Sequence, residues 1–200
     1  MPLPTTALQT GARPFRANAT PAPTPSGTFE AWVRLGTADS QHQPVAALGP
    51  ITLAVQERVA TLTTGSVKLV GATVLEPERW YHLAWRWDAG QGEVTVSVDG
   101  EVDGRAAWTP VAGGDLSVGG AWPGQLALVR LWSVARDDAE LRAGAVEVDA
   151  KGLIGSWSLG AAAADLVAND VPGGPALVLA GSWSIVTAAL RGGSDTRPSR

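Results

Sequence analysis

Large apolar side chains recur at every second position through most of this chain, and that period of two constrains the fold more than any other feature. In residues 80–88, Tyr81, Leu83, Trp85 and Trp87 fall on one face, and His82, Ala84 and Arg86 on the other. Extended backbone sends alternate side chains to opposite faces, whereas a helix spreads them around its axis. The same pattern predicts strands in 29–35, 51–55, 59–62, 67–70, 94–98, 116–118, 126–132, 153–159 and 176–179. Asp99-Gly100 joins two such runs, and an Asp-Gly pair suits the positive φ angles of a two-residue hairpin turn. With 24 glycines and 14 prolines to break the strands, the pattern predicts an all-β, two-sheet antiparallel sandwich. One short helix interrupts it. Asp137 with Glu140 three residues on forms a capping-box pattern, and Gly144 is placed to end the helix.

Composition narrows the chemistry. Cysteine is absent, which excludes disulfides, thiolate metal sites and a cysteine nucleophile. The net charge of -4 does not suit a general nucleic-acid binder, and no apolar run approaches the ~20 residues of a membrane-spanning helix. Met1 to Gln9 shows neither a basic leader nor an apolar stretch, so no signal peptide is expected. That reading places the chain in the cytoplasm, on a particle such as a virion or injection-type assembly, or on an export route without such a signal. Residues 1–27 carry six prolines and few large apolar residues, and read as an extended N-terminal arm. Leu8 and Phe15 are its two candidates for docking on a neighbour. Residues 28–187 form the predicted domain, and 188–200 read as a polar C-terminal tail.

Several segments, taken in order, resemble the laminin-G-like, concanavalin A-like jelly-roll family. Phe29-Glu30-Ala31-Trp32-Val33 is similar to an early "F-x-E-x-W-V" strand, and Trp80 to Asp88 to "W-x-H-v-A-x-x-x-D". Val96-Ser97-Val98-Asp99-Gly100 resembles the "l-y-V-D-G" hairpin, and Leu116 to Gly120 resembles "l-x-i-G-G". Gly124 to Trp132 is similar to "G-x-i-D-E-v-r-i-W", the capped helix follows, and Leu153 to Leu159 resembles a closing "l-x-g-x-W-x-l" strand. The resemblance covers about residues 28–187 and implies a jelly roll of two stacked sheets. It also implies framework positions for Trp32, Trp80, Trp85, Trp132, Trp157, Trp183 and His82. Two departures matter. Ala127 and Leu128 replace the acidic pair of the "D-E-v-r" stretch, and the Glu-x-Asp-x-x-Glu pattern of hydrolytic relatives is missing.

Catalysis needs converging carboxylates or an activated nucleophile. The close acid pairs Glu76 and Glu78, Asp99 and Glu101, and Asp137 and Asp138 fall in a loop, a hairpin and a helix start. No Gly-x-Ser-x-Gly elbow accompanies the two histidines, His42 and His82. The expectation is a protein that is not an enzyme. Calcium is the one metal the residue types admit, at Asp165, Asn169 and Asp170, with Asp88 and Asp103 as further oxygen donors. Trp87 at a strand end, with Trp108 and Trp122 in loops, are the expected ligand-binding residues. The expected function is a non-catalytic recognition or adhesion module that binds a glycan or protein surface through sandwich-rim loops. The alternative is a structural or decoration subunit of a larger particle, such as a phage tail or capsid, docking other subunits through the N-terminal arm.

Overall fold

The computed structural model describes residues 4–10, 13–19, 24–37, 42–108, 114–120, 122–144, 146–179 and 183–187. In chain order the strands begin with β1 (Thr6–Thr10), β2 (Phe15–Ala17), β3 (Ser26–Arg34), β4 (His42–Leu48) and β5 (Ile51–Gln56). Next come β6 (Val59–Thr64), β7 (Val67–Val70), β8 (Trp80–Asp88), β9 (Glu93–Val98), β10 (Glu101–Ala107), β11 (Leu116–Val118) and β12 (Gln125–Trp132). The helix α1 (Asp138–Ala143) precedes β13 (Leu153–Ser158), a 3-10 turn (Leu159–Ala161), β14 (Leu166–Val167), β15 (Leu177–Leu179) and β16 (Trp183–Thr187).

These strands form two antiparallel sheets of eight, the jelly-roll sandwich expected from the period of two. The first sheet runs β10-β9-β8-β3-β12-β1-β16, with β13 also paired to β12. The second runs β14-β15-β2-β11-β4-β5-β6-β7. At the centre of the first sheet β3 and β8 pair over nine residues, from Ser26 opposite Asp88 to Arg34 opposite Trp80. Phe29, Ala31 and Val33 therefore lie opposite Trp85, Leu83 and Tyr81, and all six point into the core. The Trp85 indole N–H donates to the Thr61 carbonyl at 3.0 Å, which ties β8 to β6 of the facing sheet. A buried indole without such a partner would lose a hydrogen bond it makes in water. At the predicted hairpin Asp99 and Gly100 have φ of 52° and 83°. A Cβ at Gly100 would also come within 2.5 Å of the Arg142 side chain, so glycine lets α1 sit close to this turn.

The proline-rich start corrects the expectation of an arm outside the sandwich. Residues 6–10 pair with β16 and face β12, and residues 15–17 lie between β11 and β15. Leu8 and Phe15, the two residues singled out as docking on a neighbour, are fully buried in this chain's own core. The prolines do not prevent this pairing. Proline at 4 and 14 precedes each short strand rather than interrupting it, where a missing N–H costs no ladder bond. The particle-docking alternative rested on a free arm, and the described part of that segment is used within the fold. The tail expected at 188–200 lies outside the described residues. Among the described residues no helix is long and apolar enough to cross a membrane.

Candidate functional site

The outer face of the first sheet carries the polar and aromatic residues of interest, because alternation turns Glu30, Trp32 and Arg34 away from the core. Its two halves differ. On one side the Glu30 carboxylate, 2% exposed, meets His82 Nε2 at 2.9 Å and Arg136 Nη1 at 2.9 Å, with Arg130 Nη1 at 3.9 Å. Burial alone would push the Glu30 carboxyl up. The His82 hydrogen bond and charge, with those of Arg136, outweigh it and hold the group below its ordinary value. The segment leading into α1 closes over this cluster. Arg136 lies 4.3 Å above the Trp132 ring and donates to the Glu140 carbonyl at 3.1 Å. Arg86 binds Asp138 at 3.0 Å and the Arg136 carbonyl at 2.7 Å. The predicted capping box is present: Glu140 N–H donates to Asp137 Oδ1 at 2.8 Å, and Asp137 N–H to Glu140 Oε2 at 2.7 Å. His82 is thus a buried, paired framework histidine.

The other half of the same face opens into a cleft of about 270 Å³. Trp32 forms one wall, Ala127 and Leu128 another, and Ser158 with Thr5 and Thr6 supplies hydroxyls at the edge. A register shift between β12 and β3 builds it. Leu126 pairs with Val33 and Val129 with Ala31, so Ala127 and Leu128 together oppose Trp32. A bulge of this kind leaves an extra residue unpaired and re-aims its side chain. Ala127 and Leu128 both join the small apolar cluster around Trp32 and Trp80 on this outer face. Ser158 lies directly opposite Leu128 across the β12–β13 ladder. The turn at Gly160 packs flush on β1, since a Cβ there would come within 2.2 Å of Thr6 Oγ1. Among the described residues no lining side chain of this cleft is titratable.

A second cleft, about 300 Å³, lies beside the β9–β10 turn and is lined by Glu76, Arg79, Asp99, Glu101 and Asp103 among others. The acids flagged in the sequence do meet here, but most are engaged. Asp99 accepts from the His82 backbone N–H at 2.9 Å, Glu101 pairs with Arg142 at 2.8 Å, and Asp103 accepts from Thr73 N–H at 2.9 Å. Among the described residues no three His, Cys, Asp or Glu side chains are arranged to hold a metal.

The expected site residues are corrected by their surroundings. Trp87, 2% exposed, and Trp122, 1% exposed, are core side chains and present no ring to solvent. Trp87 follows the inward period of β8, while the Gly-rich context of Trp122 hid the fact that its loop folds inward. Trp108 is partly buried against the core, with its backbone N–H donating to the Gly92 carbonyl at 2.8 Å. The calcium candidates do not converge. Asn169 Oδ1 accepts from Ser156 N–H and Val171 N–H, both at 3.0 Å. Asp170 Oδ2 accepts from the Ser156 hydroxyl at 3.1 Å and the Ser158 hydroxyl at 3.3 Å. These two brace β13, and Asp165 is exposed in the turn before β14. The residues that the sequence reading missed are Trp32, Leu128 and Ser158. Alternation already placed Trp32 on the Glu30 face, but only the bulge brings the three together.

Residues 9–142 match the sequence model of the concanavalin A-like lectin/glucanases superfamily. Among solved structures the fold is similar to a candidate carbohydrate-binding protein of Bacteroides ovatus, with a TM-score of 0.79, 19% identity and 93% of this chain covered. The chain spans 61% of that protein's length. A heptameric SAP-like pentraxin of Limulus polyphemus matches at a TM-score of 0.62 and 13% identity, covering 94% of this chain and 97% of its own. The CBM40 of a Ruminococcus gnavus IT-sialidase, solved with α2,3-sialyllactose, matches at 0.52 and 12% identity, covering 60% of this chain and 83% of its own. No curated relative matches by sequence.

Proposed function

The chain belongs to the concanavalin A-like lectin/glucanases superfamily, and with that as the starting point we propose that it is a non-catalytic glycan-binding module whose ligand site is the Trp32–Leu128–Ser158 cleft. The carrying observation is the make-up of that cleft: an indole, aliphatic carbons and hydroxyls, with no titratable side chain among the described residues. A sugar ring has an apolar face of C–H groups and a rim of hydroxyls, and this lining complements both. The volume suits one sugar unit rather than a long chain. The described lining of this cleft supplies no group for general acid–base chemistry, and the buried Glu30–His82 pair does not reach it. Two of the fold neighbours are named for carbohydrate ligands, in keeping with this reading.

Binding to a glycan array, followed by calorimetry on the strongest hit, tests the site. Ser158→Ala and Leu128→Asp, each checked for folding by circular dichroism, are expected to weaken or abolish binding, with Trp108→Ala leaving it intact. Loss of binding in Trp108→Ala with no change in the two cleft variants would return the site to the rim loops.

A further inference from the structure

We infer that this cleft selects uncharged sugar units and rejects acidic ones, with Asp170 and Leu128 as the residues that set the choice. The inference rests on the glycan-binding reading above and adds the ligand class. Three observations carry it. First, no cationic side chain lines the cleft among the described residues. Guanidinium groups on the same sheet face are already paired: Arg34 with Glu78 at 2.5 Å, Arg86 with Asp138, Arg130 with the Gly144 carbonyl at 3.1 Å, and Arg136 with Glu30. A sugar carboxylate bound here would lose its water without gaining a charged partner, which is costly.

Second, the Ser158 hydroxyl donates to Asp170 Oδ2 at 3.3 Å. While the hydroxyl keeps that bond, its lone pairs are what it offers a ligand. A neutral sugar hydroxyl has a proton to give to that oxygen. An ionised sugar carboxylate has none, and would approach the Asp170 negative charge as well. Third, the bulge residues Ala127 and Leu128 stand where the resembling family motif carries an acidic pair, and both turn hydrocarbon toward the cleft. The wall opposite Ser158 is therefore apolar and suits the C–H edge of a ring.

The experiment is an array that pairs neutral oligosaccharides with their sialylated and uronic-acid-terminated counterparts, probed with the full chain. The expected hits are neutral, with acidic counterparts weaker by about tenfold or more, as one unfavourable charged contact would produce. Their affinity should hold steady from about 50 to about 500 mM salt, because no ion pair forms on binding. Asp170→Asn keeps an oxygen for the serine hydroxyls but removes the charge, and is expected to narrow the gap between neutral and acidic glycans. Leu128→Glu should abolish binding of the neutral hits. Hits led by acidic glycans, or a gap unchanged in Asp170→Asn, overturn the inference and leave the glycan-binding reading standing. An array with no hits overturns both.

Discussion

Glu30 and Trp32 are two residues apart on one strand and face the same way, yet they belong to opposite kinds of surface. Around Glu30 the outer face is closed: two guanidinium groups, a histidine, a capped helix and an indole cover a carboxylate that is almost wholly out of water. Beside Trp32, itself only 8% exposed, lies a cleft whose described lining is uncharged, with apolar and hydroxyl groups on its walls. Burial of charge is stable only where partners are complete, so the charged half must be sealed and rigid. The neutral half carries no such requirement and can afford a cleft. The difference teaches that Glu30, Arg130 and Arg136 act on this face as scaffold, while the proposed recognition site lies among its uncharged residues.

The largest effect that would break this comparison is in the sealed half. Glu30→Ala leaves Arg136 and His82 buried without their carboxylate, and is expected to cost about 3–5 kcal/mol in urea denaturation. A loss below about 1 kcal/mol would show that the cluster does not hold the face together. Acid probes the same group in the intact protein. Because the folded Glu30 carboxyl is held below its ordinary value of 4.5, its stabilisation is present above that pH and drains away as pH falls through the lower folded value. Melting temperatures measured from neutral pH downward should therefore drop in that acid range, and Glu30→Gln should flatten the drop.

Smaller changes sharpen the boundary between the halves. Asp137→Ala removes the helix cap and is expected to cost about 1 kcal/mol, with glycan affinity unchanged. If that variant loses affinity, α1 is coupled to the cleft. Ser158→Ala should show the reverse. Its stability stays within about 0.5 kcal/mol of the parent, as for most exposed positions, while affinity falls about fivefold for one lost hydrogen bond. A large drop in stability in Ser158→Ala would place that hydroxyl in the scaffold, together with Asp170, which it helps to brace.

Much of the architecture was legible residue by residue. The period of two identified β3, β8, β9 and β12, the Asp99-Gly100 pair marked its hairpin, and Asp137 with Glu140 marked α1, because each signal acts over a few neighbouring residues. The N-terminal strands were not legible. Their prolines dominate the local composition, and what makes Thr6–Thr10 and Phe15–Ala17 extended is pairing with strands more than a hundred residues away. Trp122 misled for a related reason: a glycine-flanked indole looks like a loop tip, and only packing shows the ring entering the core.

The amino-acid order by itself determined the sandwich, the shared face of Tyr81, Leu83 and Trp85, and the loss of the acidic pair at Ala127 and Leu128, since alternation and residue type are local properties. Tertiary structure alone decided where a ligand could sit. The cleft exists because one sheet register slips by a residue at β12, placing Leu128 against both Trp32 and Ser158. A register is a relation between strands distant in the chain, and no short stretch of sequence contains it.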